Sequence, residues 1–259
     1  MDRSSTSMQC QELLVQGLSL AMIFGGVLHF ICLMKSHAAY GRYVDTSGSS
    51  MMVPARLAWF LQELPALLVP LLLMLITDGN DGIGRHLMLW TFCLHYFQRS
   101  CIYSLLTKGR PYPLNIMLLG MVFCSINGFL QAHYLLHCAT YHNTWFSDAC
   151  LLAGLIIFFI GMGINIHSDH ILRSLRKPGE ISYKIPRGGL FEYVSGANFF
   201  GEIVEWLGYA VATWSLPTFA FAFFTICFIG PRAYHHHRFY KEKFRDFPRS
   251  RKSLIPFIF

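Results

Sequence analysis

The sequence predicts an all-α integral membrane protein of about seven transmembrane helices. Three observations carry this. Of its 259 residues, 54% are hydrophobic and the mean hydropathy is +0.41, a balance soluble domains rarely reach. Several apolar stretches approach the roughly 20 residues that a helix needs to cross a bilayer. The basic residues also collect on one side of that arrangement, as a membrane topology requires. No internal repeat or low-complexity segment interrupts the chain, so residues 1–259 read as a single transmembrane domain.

Taken in order, the first candidate is Leu13–Met34. It is longer than a signal-peptide core and lacks a small-residue cleavage site, so it reads as a retained helix. Ala55–Thr77 follows, with Pro65 placed to kink it. His86–Leu106, Leu114–His137 and Ala149–His167 come next. Ala197–Trp214 and Pro217–Ile229 are short and joined by a tight turn at Ser215–Pro217.

Charge sets the expected orientation. The formal net charge is +7. With the N-terminus luminal, Lys35, Arg42 and Arg56 flank the first cytosolic loop, and Lys108 and Arg110 the second. Arg173, Arg176, Lys177, Lys184 and Arg187 fall in the third, and the tail from Arg232 to Lys252 is strongly basic. The opposite side keeps Arg3 and Arg85, while Arg99 is left within a span. The C-terminus is therefore expected in the cytosol. Nucleic acid is not the expected partner, because no nucleic-acid motif accompanies the charge.

Eight cysteines are scattered through the chain without a C-x-x-C pair. They read as small buried hydrophobes rather than a disulfide framework or metal site. The chain has no glycosylation sequon, phosphate loop, nucleophile elbow or soluble-type G-x-G-x-x-G. The three consecutive histidines His235–His237 and the pair His167/His170 lack the spacing of a metal box, so no metal is expected.

Four clusters of polar residues sit within apolar segments, where such groups usually mark function. Gln62 and Glu63 lie in the second. A neutral carboxyl donates a hydrogen bond, which a ketone substrate needs. Tyr96 and Tyr103 are seven residues apart and would share one face of an α-helix. A phenol can donate to a developing enolate. Asn165 and Asp169 are four apart, with Arg173 a turn further and Arg176 close to that stripe. Amide and carboxylate groups suit ribose hydroxyls or a carboxamide, and arginines grip phosphates. Asn198, Glu202 and Glu205 recur at helical spacing in an apolar helix. In the tail, His236, Arg238 and Tyr240 suit phosphate and adenine groups. Together they predict a large, phosphate-bearing ligand held at the membrane surface.

These residues fall in segments that resemble the membrane steroid 5α-reductases. The resemblance rests on WFLQELP, HYF, KGRPYP, GMGINIHSD, LRKPGEISYKIPRGGLFEYVSGANFFGE and SRKSLIPFIF, and it covers the chain from about Pro54 onward. HHHRFY and the GRPYP turn are closer to the type 2 branch, whereas YKIPRGGLFEY is closer to type 1. The resemblance implies a seven-helix protein of the endoplasmic reticulum membrane, with residues 109–259 as its C-terminal, cofactor-binding region. It implies NADPH-dependent reduction of the 4,5 double bond of 3-oxo-Δ4 steroids such as testosterone or progesterone, within androgen metabolism. Glu63 and Tyr96 match the pair that polarises the 3-oxo group, preceded by Gln62. Tyr103, Arg110, Asn165, Asp169, Arg173, Arg176, Asn198, Glu202, His236 and Tyr240 match positions around the dinucleotide. The expected partners are thus a small steroid and the lipid bilayer, with no obligate protein partner. Leu119 stands where type 2 carries an arginine, and Lys184 where type 2 has arginine and type 1 has lysine. Rival readings on the same scaffold are an enoyl-CoA reductase or an isoprenylcysteine-type methyltransferase using S-adenosylmethionine. A non-enzymatic sterol-binding protein or receptor is a third.

Overall fold

The computed structural model describes residues 9–44, 51–77, 83–141, 148–175, 180 and 182–259. The long helices are α1 (Glu12–Lys35), α2 (Ala55–Ile76), α3 (Ile83–Phe97), α5 (Leu114–His133), α6 (Ala149–Ser174), α7 (Ala197–Thr213) and α8 (Leu216–Lys243). A single turn, α4 (Ser104–Leu106), lies between α3 and α5. Among the described residues five helices are long and apolar enough to cross a membrane: α1, α2, α5 with its final turn to Cys138, α6 and α8. The helices α3 and α7, at 15 and 17 residues, are shorter. A π turn over Gln98–Tyr103 ends α3, and α7 carries Glu202 and Glu205. The helix α8 runs well past the expected end at Ile229, carrying Pro231 inside it. The residues after Pro231 are mostly competent helix formers, so polarity there ends the apolar stretch without ending the helix.

The chain forms two compact units. The first comprises residues up to Leu20 and 39–148; the second comprises 21–38 and 149–259.

In the first unit α2 packs along α5. The contact is close because Gly128 faces the proline-bearing stretch of α2. A Cβ there would lie 3.1 Å from Ala66 Cα and 3.3 Å from the Pro65 carbonyl. Prolines inside an apolar helix are tolerated where neighbours cover the exposed backbone. A two-residue antiparallel ladder, β1 (Met52–Val53) with β2 (Tyr112–Pro113), ties the starts of α2 and α5 together. Each strand leads into a helix through a proline, Pro54 or Pro113, whose fixed φ suits a helix start.

A disulfide joins Cys10, just before α1, to Cys138, at the end of the π turn that closes α5. This corrects the reading of all eight cysteines as buried hydrophobes. Their spacing of 128 residues carries no local signal; only the folded chain brings the two together. Beside the bridge, the Gln11 N–H donates to His133 Nε2 at 3.2 Å.

In the second unit α6 and α7 meet backbone to backbone. A Cβ on Gly161 would lie 2.2 Å from Glu205 N, and one on Gly154 would lie 2.3 Å from Ala212 N. From the other side, a Cβ on Gly201 would lie 2.5 Å from Asn165 N and one on Gly208 2.4 Å from Phe158 N. Each pair of glycines is seven residues apart, so both lie on the contacting faces. Small residues of this kind are how apolar helices associate when burial alone gives no driving force. Glu205, fully buried, belongs to this seam.

The C-terminal segment closes back on the 186–196 loop. Ser195 N donates to Lys252 O, Lys252 N to Tyr193 O, and Gly196 N to Ser253 O. The buried Arg251 donates from Nη1 to the Pro186 carbonyl at 2.9 Å, with Glu192 3.9 Å from its Nη2. Burial pulls the Arg251 pKa below the ordinary arginine value, and Glu192 opposes that pull.

Candidate functional site

The first unit holds Gln62, Glu63, Tyr96, Tyr103 and Arg110. Glu63 lies half-buried on α2, and both its oxygens are engaged. Gln62 Nε2 donates to Oε1 at 3.2 Å, and the Cys124 thiol of α5 donates to Oε2 at 3.8 Å. Gln62 fits because Gly120 has no side chain; a Cβ there would come within 2.5 Å of Gln62 Cγ.

Tyr96 is buried on α3 against Phe92 and His95, with ring centroids 4.8 and 5.0 Å away. Its oxygen accepts from Asn127 Nδ2 at 3.2 Å, and Asn127 Oδ1 accepts from Gln131 Nε2 at 3.1 Å. Cys124 and Asn127 are three residues apart on α5, hence on one face. That face therefore engages both Glu63 and Tyr96.

The expectation that Tyr96 and Tyr103 share a helical face assumed regular α geometry. The π turn over Gln98–Tyr103 adds a residue to the turn and breaks the seven-residue stacking. Tyr103 instead takes the Arg99 guanidinium over its ring at 4.3 Å, with Trp59 edge-on at 5.4 Å. Arg99 lies 5.3 Å from the Trp59 ring as well. Flanking by aromatic faces is one way to hold a cation inside an apolar segment. Arg110 is half-buried in the turn before β2. Leu119 is 69% exposed on α5.

The second unit holds Asn165, Asp169, Arg173, Asn198, Glu202, His236 and Tyr240. Arg176 lies outside the described residues. Asn165 and Asp169 are buried on α6, and a short chain joins them to the start of α7. Asn165 Nδ2 donates to the Asn198 carbonyl at 2.9 Å, and Asn198 Nδ2 donates to Asp169 Oδ1 at 3.3 Å. The close approach at Gly201, beside Asn165 N, lets side chains this short reach across. Arg173 continues the stripe at the end of α6, and Glu202 is half-buried one turn after Asn198.

The three consecutive histidines take three environments. His235 Nε2 lies 2.7 Å from the Leu33 carbonyl, His236 packs on Phe199 at 5.3 Å, and His237 Nδ1 lies 2.8 Å from Ser195 Oγ. Among the described residues no group of His, Cys, Asp or Glu side chains could hold a metal ion. Tyr240 is buried, its ring stacked on Phe247 at 5.8 Å.

The donor set in the second unit suits a dinucleotide. Adjacent amides and a buried carboxylate offer donors and acceptors for ribose hydroxyls and a carboxamide, and Arg173 offers a cation for phosphate. In the first unit a carboxyl and a phenol suit a ketone. Sequence reasoning missed Cys124, Asn127, Gln131 and Gly120. The amides carried a usable signal: two carboxamides four residues apart inside an apolar stretch, the same pattern that singled out Asn165 and Asp169.

A helical protein with five potential membrane spans among its described residues, and with buried polar clusters on apolar helices, falls among the polytopic membrane proteins. The family 3-oxo-5-alpha-steroid 4-dehydrogenase matches residues 110–259. The type 2 enzyme of Homo sapiens is 53% identical over 256 residues, spanning 97% of this chain and 99% of its own. That of Macaca fascicularis is 52% identical over 256 residues, with the same coverage. The type 1 enzyme of Bos taurus is 49% identical over 241 residues, 90% of this chain and 92% of its own. The chain belongs to the 3-oxo-5-alpha-steroid 4-dehydrogenase family.

Proposed function

We propose that this protein is an oxidoreductase that reduces the 4,5 double bond of a 3-oxo-Δ4 steroid, such as testosterone or progesterone, with NADPH as the reductant. The observation that carries the reading is the pair Glu63 and Tyr96, each tied by a hydrogen bond to one face of α5 inside an apolar unit. The names of the relatives support the same chemistry.

Asn165, Asp169, Asn198, Glu202 and Arg173 would hold the dinucleotide, with Arg176, His236, Tyr240, Tyr103 and Arg110 as further contacts. When bound, NADPH supplies the hydride that adds at the β-carbon of the enone. Glu63 and Tyr96 donate hydrogen bonds to the 3-oxo group, where negative charge builds as the double bond is reduced. Gln62 and Cys124 hold the Glu63 carboxyl in place. A proton added at the α-carbon completes the reduction.

The reading places the protein in the endoplasmic reticulum membrane as one seven-span reductase, with the N-terminus luminal and the basic tail cytosolic. The Cys10–Cys138 bridge supports this orientation. Disulfides persist in oxidising compartments. With seven spans and a luminal N-terminus, Cys10 precedes the first span and Cys138 ends the fourth, so both are luminal.

The test is conversion of testosterone to 5α-dihydrotestosterone by the full chain purified in detergent, with and without NADPH, alongside Glu63→Gln. Product from the wild type that needs NADPH, and a loss of about 100-fold in the variant, is expected. Equal rates in both proteins would remove Glu63 from the mechanism. No product from a folded wild type would overturn the reading.

A further inference from the structure

We propose that Asn127, held by Gln131, is a positioning residue that aims the Tyr96 hydroxyl at the substrate ketone. The inference rests on the reading of Tyr96 given above.

Both amides are fully buried on α5, a largely apolar helix. A buried amide is costly unless its hydrogen bonds are made, so its partners carry information. Asn127 Oδ1 accepts from Gln131 Nε2 at 3.1 Å. The carbonyl end of Asn127 is thereby turned along the helix, and its NH2 end faces Tyr96, 3.2 Å from Oη. The polarity of the chain follows: Gln131 donates to Asn127, and Asn127 donates to Tyr96.

That polarity has a chemical consequence. A phenol can accept and donate at once. An oxygen that accepts from Asn127 directs its own O–H away from the amide. Accepting a hydrogen bond also polarises the O–H, making it a better donor. Tyr96 is thus set as a donor, the role that a ketone requires of it. Catalysis that relies on fixed dipoles gains most when donors are oriented before charge develops. Asn127 touches Tyr96 and acts through it.

Asn127→Leu tests this with little change in shape. It removes the amide that donates to the Tyr96 oxygen and puts nothing polar in its place. In the full chain with NADPH and testosterone, kcat is expected to fall about 100-fold while KM for NADPH stays unchanged. In a Tyr96→Phe background the same substitution is expected to cost nothing further, because the two residues act as a unit. Losses that multiply in the double variant would make Asn127 merely structural and overturn the proposal. So would an Asn127→Leu enzyme within about threefold of wild type, since Tyr96 would then need no hydrogen bond from Asn127.

If thermal unfolding shows that Asn127→Leu does not fold, Gln131→Met carries the test. It removes the donor that fixes Asn127, and about a tenfold loss of kcat is expected, again absent in the Tyr96→Phe background. Full activity, or multiplying losses, would overturn the proposal. A wild type without steroid-reducing activity would sink the functional reading; an active wild type with either overturning pattern would sink this inference alone.

Discussion

Glu63 and Tyr96 belong to different helices, yet both accept hydrogen bonds from one face of α5, from donors three residues apart: Cys124 donates to Glu63 Oε2 and Asn127 to Tyr96 Oη. The spacing of two proposed catalytic groups is therefore set by a third helix that carries neither of them. Changes along α5 should act on the chemistry at a distance from the reacting atoms.

Gly120 offers the most direct case. Its Cβ would run into the flexible Gln62 side chain rather than into backbone. Gly120→Ala should displace Gln62 from Glu63 and lower kcat about tenfold, while the unfolding temperature in detergent moves little. A variant with wild-type turnover would show that Gln62 need not hold Glu63.

The glycine seam of α6 and α7 predicts the opposite pattern. Gly161→Val forces a side chain into backbone 2.2 Å away. Overpacking of this kind costs about 1–3 kcal/mol or more. Gly163, two residues on, has open space around it. Thermal unfolding of the two valine variants side by side should show a large loss for Gly161 and a small one for Gly163. Equal losses would place the effect in helix propensity instead of the seam.

The bridge between Cys10 and Cys138 leaves six free cysteines. Alkylation of the denatured, unreduced protein should add six labels by mass, and eight after reduction. Closing so long a loop restrains the unfolded chain, and Cys138→Ser should cost about 2–4 kcal/mol. Eight labels without reductant would show that the bridge does not form.

Arg251 latches the C-terminal segment to the Pro186 carbonyl from a buried position. Arg251→Met would leave that carbonyl without the hydrogen bond, at about 1–3 kcal/mol. Limited proteolysis after residue 243 should become faster in the variant. An unchanged cleavage rate would mean that the backbone bonds of Ser195, Gly196 and Lys252 hold the segment without it.

The helical, membrane-type class is legible in the sequence, because apolar length is a local property that each segment carries alone. The sequence also picked out Gln62, Glu63, Tyr96, Asn165, Asp169 and Asn198, since a polar group in an apolar helix stands out without any knowledge of its partners. Tertiary structure alone decided which of these meet. The Asn165–Asn198–Asp169 chain depends on α6 and α7 approaching within glycine distance, and the pairing of Cys10 with Cys138 depends on the folded path between them. The π turn that separates Tyr96 from Tyr103 was hidden for a related reason. A change from i→i+4 to i→i+5 bonding leaves no mark in composition or periodicity, yet it rotates every side chain that follows.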